Sequence, residues 1–113
     1  MATRHLSLRI EADTFDELTA RSREAGQTRS HLAKTLLEEG LRMQAHPGIV
    51  YRPGPAGRRP ALVDGPDVWE VARVLRDVEA RGEAALCETA ELTGLRIDQI
   101  ETVARYYAEY RDE

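Results

Sequence analysis

A chain of 113 residues with a net charge of -4, 42% hydrophobic and 5% aromatic residues has material for one modest domain or two small ones, and chains of this size often cover small apolar faces with a second copy. A single cysteine excludes an intramolecular disulfide framework, and the lack of a long apolar run argues against a membrane helix or signal peptide. We therefore expect a cytoplasmic protein with no membrane partner.

Charge is divided unevenly along the chain. Residues 1–45 carry seven basic and seven acidic side chains and residues 46–66 carry three and one, whereas residues 67–113 carry six and twelve. All five prolines lie between Pro47 and Pro66, where they interrupt helical pattern. These features predict an N-terminal domain over 1–45, a Pro/Gly-rich linker or small hairpin over 46–66, and a helical domain over 67–113.

Apolar and polar residues alternate near the N-terminus, which is the period of a half-buried strand. The apolar positions are Leu6, Leu8 and Ile10, and the polar positions are His5, Ser7 and Arg9. A lone strand leaves its backbone edges and its apolar face uncovered. We therefore expect a homodimer in which two copies of this strand pair antiparallel, with the polar positions on the outside.

Two helices are predicted after the strand. Thr14 and Glu17 have the spacing of a capping box, and Gly26 is a stop signal. Thr28 is expected to cap the second helix, whose apolar stripe continues to about Met43. The stripe consists of Leu32, Ala33, Leu36, Leu37 and Leu41.

The strand-helix-helix order over roughly residues 3–44, with Gly26-Gln27-Thr28-Arg29-Ser30 before the second helix, resembles the ribbon-helix-helix repressors of the Arc, MetJ and CopG kind and the VapB-like antitoxins. Such a ribbon fits the major groove of operator DNA, which makes His5, Ser7 and Arg9 the candidate base readers. Arg9 is the strongest candidate because a guanidinium can bind guanine with two hydrogen bonds. The resemblance implies phosphate contacts at the start of the second helix. The candidates there are Thr28, Arg29 and Ser30, with Arg4 as a further contact.

The C-terminal part is predicted to begin with a helix whose first residue is Pro66. Its apolar stripe comprises Val68, Val71, Ala72, Leu75 and Val78. A shorter helix over 84–92 is expected to end at Gly94, and a last helix follows from Ile97.

Ala90, Gly94 and Ile100 have a spacing often found in helix-turn-helix units. The helix that would face DNA, residues 98–105, carries two acidic side chains against one basic. DNA phosphates would repel it, so we expect this half to bind a protein rather than DNA. The alternative is a purely structural role, such as extending the dimer.

Residues 46–110 resemble the small winged-helix domain found in bacterial antitoxins. The resemblance rests on His46-Pro47-Gly48-Ile49, the Arg59-Pro60 step, the helix from Pro66, and Leu92-x-x-Leu95-x-Ile97-x-x-Ile100 followed by Tyr106-Tyr107. That family is commonly paired with PIN-like ribonuclease toxins, so the resemblance implies a type II antitoxin that represses its own operon. The expected fold is mainly α with a short N-terminal strand, a ribbon-helix-helix dimer followed by a small helical, winged helix-turn-helix-like domain.

A PIN-like active site would hold clustered carboxylates and metal, so an inserted arginine is a sensible blocker. Arg58 and Arg59, on a Pro/Gly-framed loop, are the candidates. The alternative is that they only keep a loop soluble. Further toxin contacts are expected from aromatic side chains, with core packing as the alternative for each. These are Trp69, Tyr106, Tyr107 and Tyr110.

Catalysis and cofactor binding are not expected, because the chain has no His-Glu-x-x-His, phosphate-cradling glycine loop or Cys-x-x-Cys. Its three histidines, His5, His31 and His46, are too scattered for a metal site. Cys87 is predicted to be a buried structural thiol. The alternatives to an antitoxin are a stand-alone repressor with an assembly or effector domain and a protein adaptor without a DNA role.

Overall fold

The computed structural model describes residues 2–54 and 57–111, which contain five α-helices and a two-stranded antiparallel sheet. In chain order the elements are α1 (Ala12–Ala25), α2 (Arg29–Ala45), β1 (Ile49–Arg52), β2 (Arg59–Leu62), α3 (Val68–Asp77), α4 (Glu83–Thr93) and α5 (Ile97–Tyr110). The mainly α prediction is confirmed. The chain divides into two compact units, and the boundary between them falls between Glu38 and Glu39, inside α2. No helix in the described ranges is long and apolar enough to span a membrane.

Residues 2–11 form no strand within a single chain. The backbone of a strand needs hydrogen-bonding partners from a second strand, and the sheet in the described ranges consists of β1 and β2. The N-terminal strand and the ribbon-helix-helix dimer therefore stay predictions that concern two assembled copies.

Helix α1 begins earlier than predicted. Its N-cap is Glu11, whose carbonyl accepts the amide of Phe15 at 2.9 Å, so the predicted cap at Thr14 is wrong. The carboxylate of Glu17 pairs with Arg21 one turn later, at 2.9 Å, instead of reaching back to the helix start. Oppositely charged side chains four residues apart stabilise a helix. Because the carboxylate of Glu17 pairs with Arg21, it does not accept the backbone amide that a capping box requires.

The turn between α1 and α2 follows its sequence signals. Gly26 ends α1 with a φ of 66°, a left-handed conformation that residues with a Cβ rarely adopt. The amide of Gln27 then donates to the carbonyl of Ser22 at 2.9 Å, which closes the helix end. Thr28 is confirmed as the cap of α2, because its Oγ1 accepts the amide of His31 at 3.1 Å.

The N-terminal unit has almost no apolar core of its own. Among residues 2–38, Leu32 is the single apolar side chain that is buried. Six large apolar side chains of this unit are exposed, namely Leu6, Leu8, Ile10, Phe15, Leu36 and Leu37. Much of the predicted stripe of α2 is thus uncovered in one chain, and a unit of this kind has apolar surface left for a further copy to bury.

The small hairpin is present, and Ile49 lies opposite Leu62 in its antiparallel register. Both of these side chains are buried. Arg52, at the end of β1, donates three hydrogen bonds of 2.8–2.9 Å to backbone carbonyls after and at the end of β2. The acceptors are Leu62, Val63 and Gly65.

Helix α3 begins later than predicted. Its N-cap is Asp67 and its first residue is Val68, so the prediction that Pro66 is the first helical residue is wrong. The carbonyl of Pro66 instead accepts the amide of Leu62 at 3.1 Å, which closes the turn leading out of β2. The buried residues of α3 are Val68, Val71 and Ala72, all members of the predicted stripe.

Helices α4 and α5 are joined by the short turn that the glycine signal predicted. Gly94 ends α4 with a φ of 76°, and its amide donates to the carbonyl of Ala90 at 2.9 Å. Ile100, the third position of the helix-turn-helix spacing, is completely buried. The winged-helix arrangement itself stays a prediction.

The C-terminal unit has one apolar core between the hairpin and its helices. Helix α3 packs against β2, α4 and α5, and α4 also packs against α5. The buried cluster comprises Ile49, Leu62, Val68, Val71, Ala72, Ile100, Val103 and Tyr106. This unit therefore forms an apolar core without help from a second chain.

Cys87 is exposed on α4, so the prediction of a buried structural thiol is wrong. The buried residues of this helix are Ala85 and Thr89, four residues apart and on one face. A residue midway between two such positions lies on the opposite face of an α-helix.

Candidate nucleic-acid and protein interfaces

The candidate base readers lie in the N-terminal segment that has no regular secondary structure. His5, Ser7 and Arg9 are all exposed. The Nε2 of His5 and the Oγ of Ser7 are 2.8 Å apart. The structure thus brings together two members of the predicted polar face, and Arg9 follows two residues later.

The apolar residues of the same segment are left in solvent. Leu6 is 67% exposed, Leu8 68% and Ile10 41%. Full burial of an aliphatic side chain of this size is worth roughly 1.5–3 kcal/mol. A single chain does not use this stabilisation.

The candidate phosphate contacts lie at the exposed start of α2, whose first turn contains no acidic residue. The hydroxyl of Thr28 is used as the helix cap. The amides of Arg29 and Ser30 precede the first intrahelical hydrogen bonds and point toward the helix start. The Cζ of Arg29 lies 4.7 Å from the ring centroid of Phe15. Arg4 is exposed in the N-terminal segment.

Both candidate toxin-blocking arginines are held within the chain. The Nε of Arg58 donates to the two carboxylate oxygens of Glu39 at 2.8 and 2.7 Å, and the side chain of Glu39 is only 8% exposed. Arg59 lies 3.1 Å from a carboxylate oxygen of Asp67, whose side chain is 15% exposed. Moving either arginine to a partner would remove the counter-charge from a largely buried carboxylate, which is costly.

The candidate aromatic contacts differ in accessibility. Tyr106 is fully buried and shares a hydrogen bond with the hydroxyl of Tyr51, so it is a core residue and not a surface anchor. Trp69 packs 5.9 Å from Tyr106 and 6.0 Å from Tyr107, measured between ring centroids. Trp69, Tyr107 and Tyr110 are each half-buried, which leaves part of each ring accessible.

A polar and aromatic cluster that the sequence did not reveal lies just after α2. His46 is 8% exposed, and its Nε2 is 2.7 Å from a carboxylate oxygen of Glu109. Its ring meets those of Tyr106 and Tyr110 edge to face, at 5.3 and 5.6 Å. The Cζ of Arg42 lies 4.3 Å above the ring of Tyr110. The four-residue spacing of Tyr106 and Tyr110 indicates that they share a face of α5. No pattern of neighbouring residues predicts that His46, so distant in sequence, packs against them.

Hydrogen bonds and burial shift the pKa values of Glu109, Tyr110 and Asp98. The hydrogen bond from His46 lowers the pKa of the Glu109 carboxyl below its ordinary value of 4.5. Partial burial is the larger cause of a raised pKa for Tyr110, and the neighbouring carboxylate of Glu109 raises that pKa further. At the start of α5, the hydrogen bond from Arg96 lowers the pKa of Asp98. Both carboxylates are therefore stabilised as anions.

Residues 2–54 and 57–111 contain no group of three or more His, Cys, Asp or Glu side chains arranged to hold a metal ion. No protein-family model, curated protein or solved structure matches the chain.

Replacing Arg58 with Ala should lower the free energy of unfolding by about 1–3 kcal/mol, because Glu39 would be left without its hydrogen bonds in a largely buried place. The matched control is Arg21→Ala, which breaks an exposed pair with Glu17 and should cost about 0.5 kcal/mol or less. Urea unfolding followed by circular dichroism measures both. Equal losses for the two variants would contradict a structural role for Arg58.

The hydrogen bond between His46 and Glu109 should make stability depend on pH in the acidic range. Because the pKa of Glu109 is lowered in the folded protein, its stabilising effect is present above about 4.5 and is lost as the pH falls through the folded value. The melting temperature of Glu109→Gln should therefore change less with pH below about 4.5 than the melting temperature of the parent protein. Glu101→Gln, also on α5, is the control and should keep the parent's profile; a parent-like profile for Glu109→Gln would refute the assignment.

Proposed function

We propose that the chain is an antitoxin that binds operator DNA as a homodimer, represses its own operon and neutralises a toxin through its C-terminal unit. The observation that carries the DNA-binding part is the N-terminal segment, where exposed apolar residues alternate with exposed polar ones. An alternating segment that is uncovered on both sides is suited to pairing with a second copy.

In the proposed dimer the two segments pair antiparallel. Leu6, Leu8 and Ile10 of both copies then face the helices and are removed from water. The opposite face, formed by His5, Ser7 and Arg9 from each copy, enters the major groove and reads base edges. The contact between His5 and Ser7 supports this grouping, because it joins two residues of the same face.

The phosphate contacts of the proposal are Arg4, Thr28, Arg29 and Ser30. A helix start with exposed amides and no acidic residue in its first turn favours an anion. Residues 1–45 carry equal numbers of basic and acidic side chains, and affinity for DNA depends strongly on net positive charge. We therefore propose modest binding by one dimer and tighter binding by several dimers on repeated sites.

We assign toxin binding to the C-terminal unit, which has its own apolar core and contains the acidic stretch 67–113. The resemblance to antitoxin domains suggests a PIN-like ribonuclease as the toxin. Arg58 and Arg59 could reach its carboxylates only by leaving Glu39 and Asp67. We accordingly place the first contacts on the accessible parts of the half-buried aromatic side chains, which are Trp69, Tyr107 and Tyr110.

A stand-alone repressor is the second candidate. It is favoured by the ion pairs of Arg58 and Arg59 within the chain, since neither arginine then needs a toxin to explain its place. The C-terminal unit would in that case serve assembly or bind an effector.

Arg9→Ala should weaken binding to duplex DNA from the chain's own promoter by about five- to 150-fold, because the lost bidentate contact is worth about 1–3 kcal/mol. Fluorescence anisotropy at fixed salt measures the affinity. The control is Arg73→Ala, which removes an exposed arginine from α3 and should leave the affinity within about twofold of the parent. Unchanged binding by Arg9→Ala would remove the ribbon from the proposal.

Co-expression of the tagged full chain with the reading frame next to its gene tests the antitoxin function. We expect a small protein to co-purify, and its ribonuclease activity to be silent in the complex and to appear when the complex is dissociated. If no protein binds while the full chain still binds its promoter, the stand-alone repressor is the better account.

A further inference from the structure

The corner between α4 and α5 presents two large apolar side chains to solvent. Leu92, in the last turn of α4, is 65% exposed, and Ile97, in the first turn of α5, is 44% exposed. Only the short turn containing Gly94 separates them. Thr89 and Ile100, each three residues from one of these apolar side chains, are completely buried. Leu92 and Ile97 therefore lie at the margin of the core, with much of each side chain left in solvent.

Three exposed glutamates adjoin these apolar residues. Glu88 precedes Leu92 by four residues and Glu101 follows Ile97 by four, so each acidic side chain shares a helix face with its apolar neighbour. Glu91 adds a third carboxylate beside Leu92. None of the three takes part in an ion pair within the part of the chain that the structure describes. We name these five residues the α4–α5 corner.

The charge of the corner selects among occupants. DNA, RNA and anionic lipid would be repelled by three carboxylates. A second copy of the same corner would place glutamates against glutamates, which is equally unfavourable. A cationic segment with apolar side chains would instead satisfy both components, by covering the aliphatic groups and pairing with the carboxylates.

We infer that the α4–α5 corner is a docking surface for a basic amphipathic segment of a partner protein. Apolar side chains of that segment cover Leu92 and Ile97, while its lysines or arginines pair with Glu88, Glu91 and Glu101. The inference rests on the proposed partner-binding role of the C-terminal unit. It adds to that role a surface separate from the aromatic side chains of Trp69, Tyr107 and Tyr110.

The first test uses a fluorescent amphipathic peptide of about 18 residues, long enough for five helical turns, built from leucine and lysine. Its counterpart carries glutamate in place of lysine. Anisotropy with the full-length chain should show binding of the lysine peptide that weakens as salt is raised, and no binding of the glutamate peptide. Equal binding of both peptides, or no binding of either, overturns the inference.

Variants then locate the binding. The double variant Leu92→Ser/Ile97→Ser should lower the affinity for the lysine peptide by about tenfold or more. The matched control is Val63→Ser, which removes another exposed apolar side chain of the same unit, 49% exposed, and should stay within about twofold of the parent. The triple variant Glu88→Gln/Glu91→Gln/Glu101→Gln should weaken binding and flatten its salt dependence. Equal losses for the control and the double variant would overturn the inference.

The product of the neighbouring reading frame separates this inference from the proposed function. If that protein binds the parent chain and Leu92→Ser/Ile97→Ser equally well, the corner is not its docking surface and the antitoxin proposal stands. If the peptide results hold but the neighbouring product binds neither chain, the antitoxin proposal fails and the corner stands. Circular dichroism confirms that the exposed substitutions leave the fold intact.

Discussion

The structure depends on the burial of apolar side chains, and the two units differ in how far a single chain achieves it. The C-terminal unit forms an apolar core within one chain, in which Ile100 and Val103 are completely buried together with side chains of the hairpin and α3. Among residues 2–38 of the N-terminal unit, Leu32 is the single buried apolar side chain, while Leu6 and Leu8 are about two-thirds exposed. A second copy is the simplest remedy, and the same pairing would free the polar face of the segment for DNA.

Electrostatics then separates residues engaged within the chain from those available to partners. Glu39 and Asp67 are shielded from solvent and bind Arg58 and Arg59, so these arginines contribute to the structure of the C-terminal unit. The glutamates of the α4–α5 corner lie in solvent without an ion pair in the described ranges. A largely buried carboxylate that lost its arginine would destabilise the unit, whereas charge left at a surface is available to select a partner.

Features that depend on neighbouring residues were predictable from the sequence. Gly26 and Gly94 end their helices as expected, because only the local backbone conformation is involved. The prediction for Pro66 is wrong because its carbonyl accepts the amide of Leu62 at the end of β2. A local helix-start signal contains no information about that hydrogen bond. The cluster of His46 and Glu109 joins residues 63 apart, which no local pattern encodes. The N-terminal strand stays a prediction, because it would have to pair with a strand from a second chain.

Pairing of two N-terminal segments is the central claim, and isotope-filtered nuclear Overhauser spectroscopy on a mixture of labelled and unlabelled chains tests it most directly. The proposed ribbon predicts contacts between protons of residues 5–10 in one copy and the same residues in its partner. It also predicts that the methyl groups of Leu6 and Leu8 become protected from solvent in that assembly. A chain that stays monomeric at high concentration, or a dimer without contacts between these segments, would contradict the account.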